Sequence, residues 1–290
     1  MTSQEKIPHL NAAGINTPDI FSSTEDLSVV AKRLRRHIIT MLGKAGSGHP
    51  GGSLSAVEIV TVLYWRIMRH KPADPNWPDR DRFILSKGHA APVLYAALAE
   101  CGYFPCAELD TLRKFGSRLQ GHADRTHTPG VEMSSGSLGQ GLSFANGVAL
   151  AGRLDNKNYR VYALVSDGEC QEGQIWEAAM TAGHYKLDNL TAIIDKNGIQ
   201  LSGRVADIMN IDPLAGKFAM FNWHTIEIDG HDLKQVTEAL EEAGKIRGKP
   251  TVIIAHTIKG KGVSFMENNV DFHGKAPNKE QVAQALKELA

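Results

Sequence analysis

Two short apolar runs, Arg160-Val-Tyr-Ala-Leu-Val165 and Leu190-Thr-Ala-Ile-Ile194, each lead into a polar word, and the spacing of those words constrains the chain more than any other feature. The first run continues as Ser166-Asp-Gly-Glu-Cys-Gln-Glu-Gly173, the second as Asp195-Lys-Asn-Gly-Ile199, and Gln174 to Lys186 between them reads as a helix. Runs this apolar predict strands buried on both faces. Parallel strands need a crossover of a dozen residues or more, and in one sheet that crossover is right-handed. Asp167 and Asn197, thirty residues apart, should therefore arrive together at the carboxyl ends of parallel strands. That edge is where open α/β sheets bind ligands.

A carboxylate, an amide oxygen and a nearby carbonyl offer hard oxygen donors. Mg²⁺ wants six in near-octahedral array, takes few of them from protein and leaves the rest to phosphate and water. Gly168 and Gly173 let the backbone come close to a bulky anion. An Asp-Gly after a strand is by itself usually a turn; the whole strand–Asp-Gly–helix–strand–Asn pattern points instead to a metal-bridged diphosphate.

The rest of the chain extends the same alternation. A helix is predicted from about Ser23, with Asp26 as the capping-box acid, on the spacing of Leu27, Val30, Ala31, Leu34, Ile38 and Met41. It ends at the glycine loop Gly46-Ser-Gly-His-Pro-Gly-Gly52, and a second helix is expected from about Ser55 to Arg69. Lys71–Pro78 reads as a surface loop, Arg82–Ser86 as a strand and Gly88–Cys101 as a helix. Residues 116–141, dense in Gly, His, Ser and Thr, read as a functional loop before a helix over Gly141–Arg153. Strands at Trp223–Ile228 and Thr251–Ala255 flank a helix at Leu233–Arg247, and a short helix near Glu280–Leu289 follows. The fold class predicted is α/β: a doubly wound, mainly parallel sheet with helices on both faces, over residues 23–290, behind an N-terminal arm at 1–22.

Lys plus Arg and Asp plus Glu stand at 32 each, so the zero net charge argues for neither nucleic acid nor an anionic membrane surface. No stretch approaches the ~20 apolar residues of a membrane span, and Met1–Ser22 lacks the apolar centre of a signal peptide. Three scattered cysteines make no disulfide framework, and Cys101 and Cys106 read as too isolated from other soft ligands to suggest zinc. A soluble cytoplasmic protein is expected.

The segment from Asp167 to Asn197 resembles the signature of thiamine diphosphate enzymes, which opens Gly-Asp-Gly and closes on Asn; Ser166 stands where the first glycine is usual, which puts the local backbone in question. The words Asp167–Gly173 and Ala182-Gly-His-Tyr-Lys-Leu-Asp-Asn-Leu190 are similar to those of the transketolase family. Further words in that family's order are Ser47–Gly52, Asp81–His89, Gly121-His122, Ser135–Gly141 and Phe272–Lys275. The resemblance implies the thiamine diphosphate-binding fold, and Mg²⁺ (with Ca²⁺ or Mn²⁺ as substitutes) held by Asp167, the Asn197 side chain and the Ile199 carbonyl. It places Gly168 and Glu169 at the cofactor by their position in the motif, Gly136, Ser137 and Leu138 near its aminopyrimidine end, and Lys275 beside the diphosphate. It makes His49, His89, His122 and His273 the catalytic residues, lining sugar channel and cofactor. Imidazoles suit that work, because sugar hydroxyls must lose and regain protons near neutrality. Glu172 would sit at a subunit contact and reach toward the partner's catalytic glutamate. His9, His70 and His256 read as surface or structural, and His127 and His184 are left undecided.

In transketolase a second α/β domain supplies that glutamate and an aromatic pocket for the pyrimidine. The sequence stops at Ala290 without one. The reading is therefore a split enzyme: an N-terminal, diphosphate-binding subunit completed by a separate C-terminal transketolase subunit in an α₂β₂ assembly. Its reaction would be transfer of a two-carbon ketol unit from a ketose phosphate to an aldose phosphate. Two alternatives stand beside it. One is a subunit of a deoxyxylulose-phosphate synthase or 2-oxo acid dehydrogenase, whose sugar-binding histidines differ. The other is a non-catalytic homologue, against which the full set of candidate ligands speaks. A specialised catabolic transketolase fits as well as the pentose-phosphate enzyme.

Overall fold

The structure, a computed structural model, describes residues 24–290, with side chains from Leu27 onward; the expected arm at 1–22, the helix start at Ser23 and the Asp26 side chain lie outside them. Helix α1 (Thr24–Ala45) leads through the glycine loop to α2 (Pro50–Leu54) and α3 (Val57–Val62), which winds on as a π-helical turn over Leu63–Ile67. Then come β1 (Arg82–Leu85), a 3₁₀ turn at Gly88–Ala90, α4 (Ala91–Cys101), a long loop containing a 3₁₀ turn at Cys106–Thr111, and α5 (Gln140–Leu154). The segment after it forms β2 (Val161–Ser166), a 3₁₀ turn (Gly168–Gln171), α6 (Gly173–His184) and β3 (Leu190–Lys196). A small hairpin, β4 (Ile199–Gln200) and β5 (Gly203–Arg204), is followed by α7 (Val205–Ile208), α8 (Leu214–Met220), β6 (His224–Asp229), α9 (Leu233–Lys245), β7 (Thr251–His256) and α10 (Lys279–Glu288).

Five strands form one all-parallel sheet in the order β1-β2-β3-β7-β6. Side chains alternate across it, as a two-residue period requires. On β2, Tyr162 and Leu164 join the core shared with α1, α3, α4 and α9, while Val161, Ala163 and Val165 join the core under α5, α6 and α8. The crossovers explain the division. From β2 to β3 to β6 the chain steps one way along the sheet, and from β6 back to β7 the other way, so a right-handed connection puts α9 on the opposite face. At the carboxyl edge β1 feeds α4 on one face and β2 feeds α6 on the other, the parting of the chain at which open α/β sheets bind ligands.

Two differences from the sequence reading matter. The second helix does not begin at Ser55: it starts at Pro50, where the ring presets φ for a first helical turn, breaks at Ala56 (φ −95°, ψ 2°), and is left at Met68. The histidine-bearing loop thus ends directly on a buried helix start. The hairpin β4–β5 and helices α7 and α8 were not expected; each is short and too brief to show a period. Among the described residues no helix is long and apolar enough to cross a membrane.

Candidate functional site

Register puts the two key words side by side: Ser166 at the end of β2 pairs with Asp195 of β3, and the Asp167 N–H donates to the Asp195 carbonyl at 3.2 Å. Asp167 is 2% exposed. Its Oδ1 accepts from Gly168 N at 2.9 Å and its Oδ2 from Gly198 N at 2.6 Å, and Asn197 Oδ1 accepts from Ile199 N at 3.2 Å. Asp167, just past β2, is therefore bound to the turn after β3 that carries Asn197 and Ile199, at the sheet edge. Burial, then the nearby Asp195, pushes the Asp167 carboxyl up to about 6 against the pull of its two amide donors. A buried carboxylate held only by amides, and resisting its own charge, is an environment a cation would relieve.

Ser166 settles into the strand end without strain: its φ is not positive, and its hydroxyl meets Glu169 Oε2 at 3.3 Å. Glu169 is fully buried. Its Oε1 accepts from Ser86 Oγ (2.6 Å) and Gly139 N (3.0 Å), and its Oε2 from Ser166 N (2.8 Å). Burial raises its carboxyl, with these donors pulling the other way. This one side chain ties β1, β2 and the 135–141 loop together.

Sequence reading missed two buried lysines. Lys87, fully buried, donates to Gly52 O (2.7 Å) and to Asp195, which also accepts from Ser55 Oγ (2.6 Å) and Thr257. Burial opposes charge on Asp195, but Lys87 more than offsets it and the carboxyl is lowered. Lys259 donates to the Ile199 carbonyl (2.7 Å) and lies 2.8 Å from His273 Nδ1. Burial, then Lys87, brings its ammonium down to about 8. The visible sign was a lysine inside an otherwise apolar or glycine-bounded word, Ser86-Lys-Gly88 and Ile258-Lys-Gly260, but lysines are common on surfaces and gave no contrast.

The four expected histidines converge from four separate loops. Ring centroids lie 5.4 Å apart for His49–His89, 5.9 Å for His49–His122, 5.6 Å for His49–His273 and 5.2 Å for His89–His273. Burial is the main reason all four are held below the usual imidazole range, His49 and His273 at about 4; neighbouring cations add to it. One close approach in the cluster favours a glycine, Gly52 under His89, while Gly274 makes only ordinary contact with His49. A Cβ on Gly52 would stand 3.1 Å from His89 Nε2, and one on Gly274 3.7 Å from the His49 ring. The Nδ1 of His49 is buried without a partner among the described residues.

Other expected residues sit differently. Gly136 lies beside His122, but Gly136, Ser137 and Leu138 are exposed. Glu172 is exposed against Gly139, and Lys275 is exposed, two residues past His273. His127 is exposed and bonds Asp124 at 2.9 Å; His184 is exposed against Tyr185. His70 is buried between Tyr64 O and Tyr103, and His256 is exposed beside Glu227. One correction concerns Cys106: it is not isolated, since His37 and Glu100 place ligand atoms within 4.8 Å of it and of each other. Helix packing, not sequence spacing, brings those three together.

A family model described as "Transketolase, thiamine diphosphate binding domain" matches residues 27–290. The chain is 46% identical over 264 residues to a 6-deoxy-6-sulfo-D-fructose transketolase subunit of Clostridium sp. strain MSTE9, covering 91% of this chain and 96% of that one. It is 44% identical over 268 residues to an apulose-4-phosphate transketolase subunit of Actinobacillus succinogenes, covering 92% and 97%. The solved transketolase of Campylobacter jejuni superposes with a TM-score of 0.86 at 34% identity, over 91% of this chain but 42% of that one. The chain thus spans less than half the length of that solved enzyme.

Proposed function

Because this chain belongs to the transketolase family, matching its thiamine diphosphate-binding domain, we propose that it holds that cofactor's diphosphate through Mg²⁺ and transfers ketol units together with a second subunit. The observation that carries the reading is the bond that ties Asp167 to the turn bearing Asn197 and Ile199, on a carboxylate that burial and Asp195 push up to about 6. Asp167, the Asn197 amide oxygen and the Ile199 carbonyl would hold the ion. Lys259, now on that carbonyl, would turn toward the diphosphate charge. The bound cofactor supplies the carbanion chemistry that cleaves and forms the carbon–carbon bond. The chain's own part is proton handling and position. His49, His89, His122 and His273, kept neutral by burial, are ready to accept a hydroxyl proton and return it.

A separate partner is supported by the relatives named as subunits, whose lengths this chain nearly fills. It is also supported by α5 and α6, where Phe144, Gly147, Leu154 and Met180 are exposed, with Leu138 exposed two residues before α5. A second chain bringing the pyrimidine half, in an α₂β₂ assembly, would cover that face. The two relatives are named for 6-deoxy-6-sulfo-D-fructose and apulose 4-phosphate, which supports a specialised ketose here over the common pentose phosphates. The three free thiols suit the cytoplasm. Calorimetry should show Mg²⁺-dependent binding of thiamine diphosphate, strengthened by the partner chain, and ketol transfer only in the reconstituted pair. Appreciable turnover by the chain alone would refute the two-chain reading, and no cofactor binding in the pair would favour a non-catalytic homologue.

A further inference from the structure

Three side chains that the proposed reaction does not use, His37, Glu100 and Cys106, meet at the far end of α4. Arg33 and His37 stand one helical turn apart on α1. Both reach Glu100 in the last turn of α4: His37 Nε2 lies 2.6 Å from its Oε1, and Arg33 Nε donates to its Oε2 at 3.2 Å. Gly102 then ends the helix with a left-handed φ of +90°, which suits glycine, and turns the chain back. Phe104 and Leu109 bury themselves in the core that α1 shares, and Cys106 opens the 3₁₀ turn between them. One ligand atom each from His37, Glu100 and Cys106 falls within 4.8 Å of the other two. Ion pairing accounts for Arg33, His37 and Glu100, but it leaves the thiol unexplained. An imidazole, a carboxylate and a thiol so close together are a donor set for Zn²⁺, which takes N, O and S at about 2.0–2.3 Å in a tetrahedron. Mg²⁺ asks for oxygen alone.

We propose that His37, Glu100 and Cys106 form a Zn²⁺ site, with water as the fourth ligand. Binding breaks the His37–Glu100 hydrogen bond, gives the Nε2 lone pair to the metal and releases the thiol proton to water. Arg33 stays on Oε2 and aims the carboxylate, the part an outer partner plays at metal sites. A cavity of about 400 Å³ beside the triad, lined by His37, Thr40, Met41, Cys106, Asp110 and Leu286, admits the ion and its water. Asp110 is taken up by Lys44 at 2.6 Å, which leaves the fourth position to solvent. The bound ion would clip α1 to the end of α4 and to the turn after it. Helix α4 has 11 residues, so its other end, next to His89, lies on the order of 15 Å away. The triad shares no residue with the histidine cluster or with the proposed Mg²⁺ ligands, and the proposal stands or falls separately from the reaction.

The test uses the full chain, reduced, stripped of metal and kept in excess Mg²⁺. Calorimetry with a zinc salt should show a tight site. Cys106→Ser and His37→Asn should each weaken it by about 100-fold or more, and Arg33→Gln by about tenfold, since Arg33 only aims a ligand. Co²⁺, used as a coloured stand-in, should give a thiolate-to-metal charge-transfer band that survives Cys101→Ser and disappears in Cys106→Ser. Zinc should raise the thermal midpoint of the wild type and leave that of Cys106→Ser where it was. Far-UV circular dichroism matching the wild type shows that each variant is folded. Absence of zinc uptake by the wild type would overturn the proposal. So would uptake that Cys106→Ser and His37→Asn leave unchanged, which would place the zinc at other residues.

Discussion

The chain buries charge in two places and treats it in opposite ways. Under the first helices, Arg35 grips Glu58 with both nitrogens (2.7 and 2.8 Å), and His231 Nδ1 meets the same carboxylate at 3.0 Å while Ile258 N donates to its Nε2. Burial pushes the Glu58 carboxyl up, but the His231 bond and the Arg35 charge prevail and hold it at about 2. At the sheet edge, around the buried Lys87–Asp195 pair, groups are instead driven toward neutrality: Asp167 up to about 6, Lys259 down to about 8, His49 and His273 down to about 4. The first cluster is complete within the chain and fixes where helices, the β6–α9 turn and the segment carrying Lys259 meet. The second is left electrically short, a condition that suits a ligand arriving with its own charges.

If that contrast is right, the clusters should fail differently. Glu58→Gln strands a buried Arg35 and should cost about 3–5 kcal/mol in denaturant unfolding. The same pair should show in acid. Glu58 falls from an ordinary 4.5 to about 2 in the folded chain, so its contribution is fully present above about 4.5 and is lost as pH falls through about 2. An unfolding-versus-pH series should show this as a drop on the order of 3 kcal/mol, absent in Glu58→Gln. Asp167→Asn should behave in reverse. Unfolding free energy should hold or rise, because a reluctant buried charge has gone, while binding of thiamine diphosphate with Mg²⁺ should weaken roughly 100-fold or more by calorimetry. Loss of fold in Asp167→Asn comparable to that in Glu58→Gln would erase the distinction.

The two clusters were not equally legible. The parallel sheet, the crossover and the meeting of Asp167 with Asn197 follow from periodicity and spacing, which are local. The four histidines announced themselves by lying in glycine-rich words, where an imidazole is out of place unless something needs it. Arg35, Glu58, Lys87 and Lys259 gave no such signal. Each lies in or beside ordinary helical or strand-end sequence, and its partner is distant in the chain: Glu58 is 173 residues from His231, and Lys87 is 108 from Asp195. Charge pairing across layers depends on which helix faces meet. The second helix shows the same limit, since its start at Pro50 rests on docking against the site rather than on its own period.

The smallest expected effect separates two lysines. Similarity of the Phe272–Lys275 word assigns the diphosphate's counter-charge to Lys275, whereas the fold buries Lys259 on the Ile199 carbonyl and leaves Lys275 in solvent. A cation already desolvated and aimed by two bonds loses little on meeting an anion, and its removal should cost about 30-fold or more in cofactor affinity for Lys259→Met. An exposed ammonium is screened and must first be ordered, so Lys275→Ala should cost less than about fivefold. Raising salt from low to physiological should shrink the Lys275 effect further and leave that of Lys259 nearly unchanged. If instead the larger loss belongs to Lys275, the segment after His273 must close over the cofactor once it binds, and the sheet edge is less preformed than its buried hydrogen bonds imply.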